Sequence, residues 1–120
     1  MLTPVAYGLA VALNLLVAFV GVRFLLQPEA AAAGYGVPAK PGAYLTVKGV
    51  RDFSYGIVGL ALIAFAGPLA AAWFMLVVAL NPLGDCLIVL RNGGTKAVAF
   101  GVHLATAALV LISAALLFAV

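Results

Sequence analysis

Residues 96–120 read KAVAFGVHLATAALVLISAALLFAV. After Lys96 the stretch carries no Asp, Glu, Lys or Arg. As a helix it is long enough to cross a hydrocarbon core that takes about 20 predominantly apolar residues. Upstream, Asn92-Gly93-Gly94 reads as a turn, and before it about residues 69–90 form a second run of this kind. Gly67-Pro68 separates that run from a third, about residues 44–66, which is entered through Lys40-Pro41-Gly42. The first run, about residues 5–26, is opened by Thr3-Pro4 and closed by Gln27-Pro28. Four spans joined by short breaks predict an all-α polytopic membrane protein, an antiparallel four-transmembrane-helix bundle forming one membrane domain over residues 1–120. The short link at Gly67-Pro68 predicts a tight antiparallel hairpin of the second and third spans.

Composition agrees. Of 120 residues, 68% are hydrophobic and 8% charged, and mean hydropathy is +1.31. A soluble domain is about a quarter charged, so this chain has too little polar surface to clothe a soluble enzyme. The same figures exclude a disordered tail and a secreted disulfide scaffold. A single cysteine, Cys86, leaves no internal disulfide and no cysteine metal cage. Six Lys and Arg against three Asp and Glu are too few and too scattered for a nucleic-acid footprint. No Lys or Arg precedes the first apolar run, which is longer than a signal-peptide core, so it reads as a retained helix.

The charges are distributed unevenly. Arg23, Glu29, Lys40, Lys48, Arg51, Asp52, Asp85, Arg91 and Lys96 all fall at the end holding the 27–43 and 91–96 connections. The other end, with both termini and the Gly67-Pro68 turn, holds none. The positive-inside rule places the charged loops in the cytoplasm and both termini outside, in a bacterial-type plasma (inner) membrane. Within the 27–43 connection, Pro28, Glu29 and the alanines from Ala30 to Ala33 predict a short interfacial helix ended by Gly34 or Gly36. Tyr35 is expected at headgroup level, and of two roles for the helix, a lid over the cytoplasmic side or a tether, the tether is the one expected.

At about 1.5 Å per residue, Asp85 lies roughly 9 Å inward of Arg91, His103 roughly 10 Å inward of Lys96, Asp52 about 12 Å inward of Tyr44, and Arg23 about 6 Å inward of Gln27. Four spans thus offer ionisable groups to one slab. Lys48, Arg51, Asp52 and Tyr55 share a helix face, with Lys48–Asp52 and Arg51–Tyr55 at the i,i+4 spacing, as are Asn81 and Asp85. His103 shares a face with Ala99 and Thr106. Pro82 removes a backbone donor and frees the carbonyl of Val78. Charges at this depth cost about 2.5–3.5 kcal/mol each on insertion scales, which turns these faces inward.

Two readings stand at each position. Asp85 and His103, with Asp52, are candidate proton-transfer groups, and Arg51, Lys48, Tyr55, Arg23 and Asn81 are candidate substrate-binding groups. Against that, Lys48, Arg91 and Lys96 can snorkel, Arg51–Asp52 can be a structural ion pair, Asp85 can pair with Arg51 or Arg23, and His103 can be a neutral residue bonded to a carbonyl. Cys86, Tyr7, Phe19, Trp73 and Phe74 read as packing or interface anchors. Small residues at Gly49, Gly56 and Gly59, and at Ala97, Gly101 and Ala105, allow close helix approach, and a homodimer through one of these faces stays open. No nucleophile–base motif, dinucleotide fingerprint or metal-ligand spacing occurs, so no cofactor and no metal is expected.

The chain resembles the small four-helix membrane family catalogued as domain of unknown function 4267. The resemblance runs through Arg23 with Pro28, Gly34-Tyr35-Gly36, Lys48-Gly49-Val50-Arg51-Asp52 with Gly56, Pro82 with Asp85, and Gly93-Gly94 ahead of His103. It implies an integral membrane location and supplies no catalytic role. The early intramembrane Glu of small multidrug transporters is missing. The expected function is acid–base chemistry (isomerisation, cyclisation or epoxide opening) on a lipophilic small molecule drawn from the lipid bilayer into a pocket opening toward the cytoplasm. The alternatives are a proton- or ion-coupled transporter and a non-catalytic accessory subunit.

Overall fold

Proline and glycine set the helix boundaries. The computed structural model describes residues 1–39 and 43–120; the expected way in to the second span through Lys40-Pro41-Gly42 lies outside the described residues. Helix α1, Leu2–Leu26, ends because Gln27 precedes Pro28 and leaves helical geometry at φ −137°, ψ 65°. Helix α2, Pro28–Tyr35, starts at that proline with Glu29 in its first turn. It closes on Gly36 at φ 86° in a Schellman pattern, with Val37 N–H donating to the Ala32 carbonyl at 3.1 Å and Gly36 N–H to that of Ala33 at 3.2 Å. Helix α3, Tyr44–Ala66, finishes in a π-helical stretch, Leu62–Ala66. Gly67, at φ 92° and ψ 176°, turns the chain directly into Pro68 at the head of helix α4, Pro68–Arg91. α4 is interrupted at Ala79, three residues before Pro82, where the missing proline N–H and the ring's clash with the Val78 carbonyl break the ladder. Helix α5, Lys96–Ala119, is capped by Thr95, whose Oγ1 accepts the Val98 N–H at 3.1 Å. Its second turn is again π-helical, Ala99–Leu104.

The helices α1, α3, α4 and α5 are each long and apolar enough to span a membrane. The molecule measures 44 × 26 × 19 Å, so its long axis matches the 40–45 Å of a bilayer with its headgroups. Residue size is sorted as in a membrane protein. The buried set is dominated by alanines and glycines, among them Ala6, Ala10, Gly21, Gly56, Ala72 and Ala107, while Leu2, Phe19, Phe65, Trp73, Leu87 and Ile112 face outward.

The closest pairing is α1 with α3. A Cβ on Gly56 would stand 2.6 Å from that of Ala18, and one on Gly49 2.8 Å from Leu25 Cγ. A Cβ on Gly59 would collide with the Asn14 amide. A Cβ on Gly101, by contrast, would meet nothing within 4 Å, and Ala97 and Ala105 are exposed, so among the described residues that small-residue face brings no helix close. The expected tight hairpin of α3 and α4 holds only at its turn. Beyond Gly67 the two diverge, and α3 scarcely meets the half of α4 from Leu80 to Arg91, because α3 is held against α1 and α4 packs on α5. The core toward the termini is mainly apolar, built on Ala6, Ala10, Leu13, Ala72, Met75 and Leu117, with the polar side chains of Asn14 and Ser113 buried beside it. At the other end smaller clusters form around Phe24, Ala32 and Leu45, and around Cys86, Val89 and Ala99.

Candidate functional site

α2 governs the site. Rather than hanging as a tether with Tyr35 at headgroup level, it folds back under the bundle and buries Ala31 and Ala32 against Phe24 and Leu45. The cause is local. Gln27 redirects the chain, and Gly36 ends the helix so that Tyr35 enters the bundle.

Tyr35 then joins three helices. Its hydroxyl donates to Asp85 Oδ2 on α4. Its backbone carbonyl, left without a helical donor by the Schellman turn, is bonded to His103 Nε2 on α5 at 2.8 Å. A carbonyl only accepts, so His103 carries its proton on Nε2, and in the neutral ring Nδ1 is the acceptor. The ring of Tyr35 lies 4.3 Å from that of His103 and 5.5 Å from that of Phe24. Lys48 Nζ, on α3, sits 3.9 Å from its centroid and donates to Asp52 Oδ2 at 3.1 Å. Burial first, and then the charge of Asp85, raise the Tyr35 phenol above its ordinary value, so it stays a protonated donor.

Of the pairings expected, Lys48–Asp52 and the bond from His103 to a carbonyl form, and the arginine pairings do not. Asp52 pairs with Lys48 and not with Arg51, since neighbours at i,i+1 point apart on a helix while i,i+4 residues share a face. Among the described residues Asp85 has Tyr35 as its side-chain partner and no arginine. Asp85 and His103 do not bond to each other; they meet through the hydroxyl and the carbonyl of Tyr35. Neither Arg51–Tyr55 nor Asn81–Asp85 forms a side-chain hydrogen bond among the described residues. Cys86 is buried beside Val89 and Ala99, and Trp73 packs edge-on against Phe118 at 5.1 Å.

These groups line two spaces. One is a cavity of about 380 Å³ inside the bundle, with Arg23, Asp52, Tyr55, Asn81, Asp85 and His103 in its walls. Its remaining lining is mainly apolar, from Leu13, Val17, Phe74, Met75 and Val78 among others, and α2 closes one end with Ala31, Gly34 and Tyr35. The expected opening at that end is therefore covered, and exposed Phe19, Tyr55 and Asn81 mark the sides instead. The second space, about 490 Å³, occupies the gap between α3 and α4 and is lined by Tyr44, Lys48 and Arg51. Asp52, Tyr55, Asn81 and Asp85 belong to both walls. Of the expected site residues, Lys48 and Arg51 line the gap alone, while the other six line the inner cavity.

Two residues of the site lie outside the expected set. Tyr35 was detectable only as an aromatic between two glycines. Asn14, 3% exposed, gives its Nδ2 to the Ala10 carbonyl at 2.8 Å and to Met75 Sδ at 3.5 Å, and it gave no signal beyond being polar in an apolar run. Among the described residues no three His, Cys, Asp or Glu side chains come together to hold a metal ion.

A helical bundle of four candidate membrane spans with ionisable groups gathered at one end defines a polytopic membrane protein. The chain belongs to the family described as Domain of unknown function (DUF4267), which matches residues 14–117 and so spans every polar group of the site. No curated protein and no solved structure matches it.

Proposed function

We propose that this protein takes a lipophilic small molecule from the bilayer through the gap between α3 and α4 and moves a proton on it. Asp85 is the acid–base residue. The observation that carries this reading is a largely apolar cavity of about 380 Å³, within the usual range for small-molecule sites, with Asp85 in its wall. Tyr35 donates to Oδ2 of that carboxylate, which leaves Oδ1 to accept a proton from the ligand. The Tyr35 phenol positions the carboxylate, and His103, through the Tyr35 carbonyl, holds Tyr35. Asp52 is oriented by Lys48, which donates to its Oδ2. Isomerisation, cyclisation or epoxide opening fits such a group.

Location and orientation belong to the same proposal: a bacterial-type inner membrane, with α2 and the Asn92–Thr95 turn cytoplasmic and both termini outside, supported by the one-sided charge distribution. In a Cys86→Ala background, a cysteine placed at Gly93 is labelled by an impermeant maleimide only from the cytoplasmic side; labelling from outside reverses the orientation. For function, protein purified in mild detergent is examined by native mass spectrometry for a bound lipophile, and the released molecule is incubated with wild type and Asp85→Asn. Conversion by wild type and loss of conversion in a folded Asp85→Asn support the enzyme. A bound molecule never converted leaves a lipophile-binding protein, and a variant that fails to fold makes the polar layer structural.

A further inference from the structure

The gap between α3 and α4 has its own charge character. Lys48 is engaged by Asp52 at 3.1 Å and lies over the Tyr35 ring, and Asp85 accepts from Tyr35. Arg51, on the same wall, has no ion-pair partner among the described residues. Across the two spaces three cations (Arg23, Lys48, Arg51) face two carboxylates (Asp52, Asp85). In a setting of low dielectric such an imbalance favours a bound anion, and a guanidinium is suited to a planar or tetrahedral oxyanion. The gap and the inner cavity share four wall residues, so they adjoin. The α1 residues lining the inner cavity run from Leu13 to Phe24, about 16 Å along the helix, which is room for an extended chain and not for a compact ring system alone.

We propose that the ligand is a single-chain amphiphile with an oxyanionic head, carboxylate or phosphate, held by Arg51 in the gap between α3 and α4, with its apolar chain laid along α1 in the inner cavity. This rests on the lipophile-binding reading above and names the substrate class. Asp52 and Asp85 do not repel the head strongly, because Lys48 neutralises the one and the Tyr35 hydroxyl shields the other. The Tyr55 hydroxyl and the Asn81 amide, in the wall common to both spaces, are the polar groups along which the chain joins the head.

The test is binding to the full chain in a neutral maltoside detergent, measured by isothermal titration with oleate, oleyl alcohol, a diacyl phosphatidylglycerol and inorganic phosphate. Oleate is expected to bind about tenfold or more tightly than oleyl alcohol, the effect of one charge-assisted contact. Arg51→Gln removes that preference by weakening oleate far more than oleyl alcohol, and Arg51→Lys restores part of it. Oleate and oleyl alcohol binding alike overturns the headgroup assignment and leaves the cavity reading standing. No binding by either chain overturns both. Phosphatidylglycerol binding more tightly than oleate, with loss in Arg51→Gln, assigns Arg51 to a bilayer lipid and overturns the single-chain ligand. Inorganic phosphate binding as tightly as oleate overturns the role of the chain.

Discussion

The two faces of α3 are built on opposite principles. Toward α1 it presents Gly49, Gly56 and Gly59, and the backbones approach until an added methyl would strike Ala18, Leu25 or Asn14. Toward α4 it presents Lys48, Arg51, Asp52 and Tyr55 and stands away, leaving a space of about 490 Å³. In lipid, helices associate through close van der Waals packing and not through exclusion of water, so the glycine face supplies cohesion and frees the polar face from that duty. An open polar face in the apolar half of a bilayer would be costly. Here it is tolerated because each carboxylate has a donor, Lys48 for Asp52 and Tyr35 for Asp85.

That contrast is broken most severely on the cohesive face. Gly56→Val is expected to cost about 3 kcal/mol through overpacking against Ala18 and the Asn14 backbone, and thermal unfolding in detergent reads the loss. Gly84→Val, at a position in the gap where a Cβ meets nothing within 4 Å, is expected to stay within about 0.5 kcal/mol of wild type apart from its helix-propensity gain. Equal effects at the two positions would mean that the two faces are alike.

Tyr35→Phe comes next. It leaves the Asp85 carboxylate without its donor, a loss of about 1.5–3 kcal/mol for a hydrogen bond to a charged group, again by thermal unfolding. The same variant isolates a pH effect. Burial and Asp85 raise the folded phenol above its ordinary value, whereas in the unfolded chain it titrates near 10. Above about pH 10 the unfolded chain sheds a proton that the folded chain keeps, so stability is fully present below that pH and falls as pH rises through it. Wild type is expected to lose stability between about pH 9 and 11 more steeply than Tyr35→Phe, and parallel curves would contradict the burial of the phenol.

The smallest effect belongs to Lys48→Met. The pair with Asp52 is only partly buried, with both side chains 14% exposed, and i,i+4 pairs of this kind contribute about 0.3–0.5 kcal/mol. Because Lys48 also lies over the Tyr35 ring, a double-mutant cycle with Tyr35→Leu, which removes that ring, is expected to show non-additivity, and strict additivity would separate α2 from α3.

The spans, their order and their punctuation were legible because hydropathy sums along a contiguous stretch and Pro and Gly act on their immediate neighbours. The Lys48–Asp52 pair was legible for the same reason: its partners are one helical turn apart. What the sequence hid was long-range. The bond from Tyr35 to Asp85 joins residues fifty apart, and it depends on where two backbone turns, at Gln27 and Gly36, aim a short helix. Nothing in local periodicity encodes that aim, and so a tether was expected where a wall of the cavity stands. The divergence of α3 from α4 was hidden likewise, since a short turn fixes where two helices start together but not whether they stay so. Asn14 and the Ala10 carbonyl are an i,i+4 contact, yet its tertiary meaning came only with Met75 and Gly59.

The central claim is that the polar groups of four helices enclose a space that holds a lipophile. A diazirine-bearing long-chain alcohol, photoactivated in proteoliposomes and mapped by peptide mass spectrometry, tests it most directly. Labelling concentrated on Val17, Phe74, Met75, Val78 and Val102, and suppressed by excess unlabelled alcohol, is the result expected. Labelling confined to outward-facing positions such as Leu2, Leu87 and Ile112, with no competition, would contradict it.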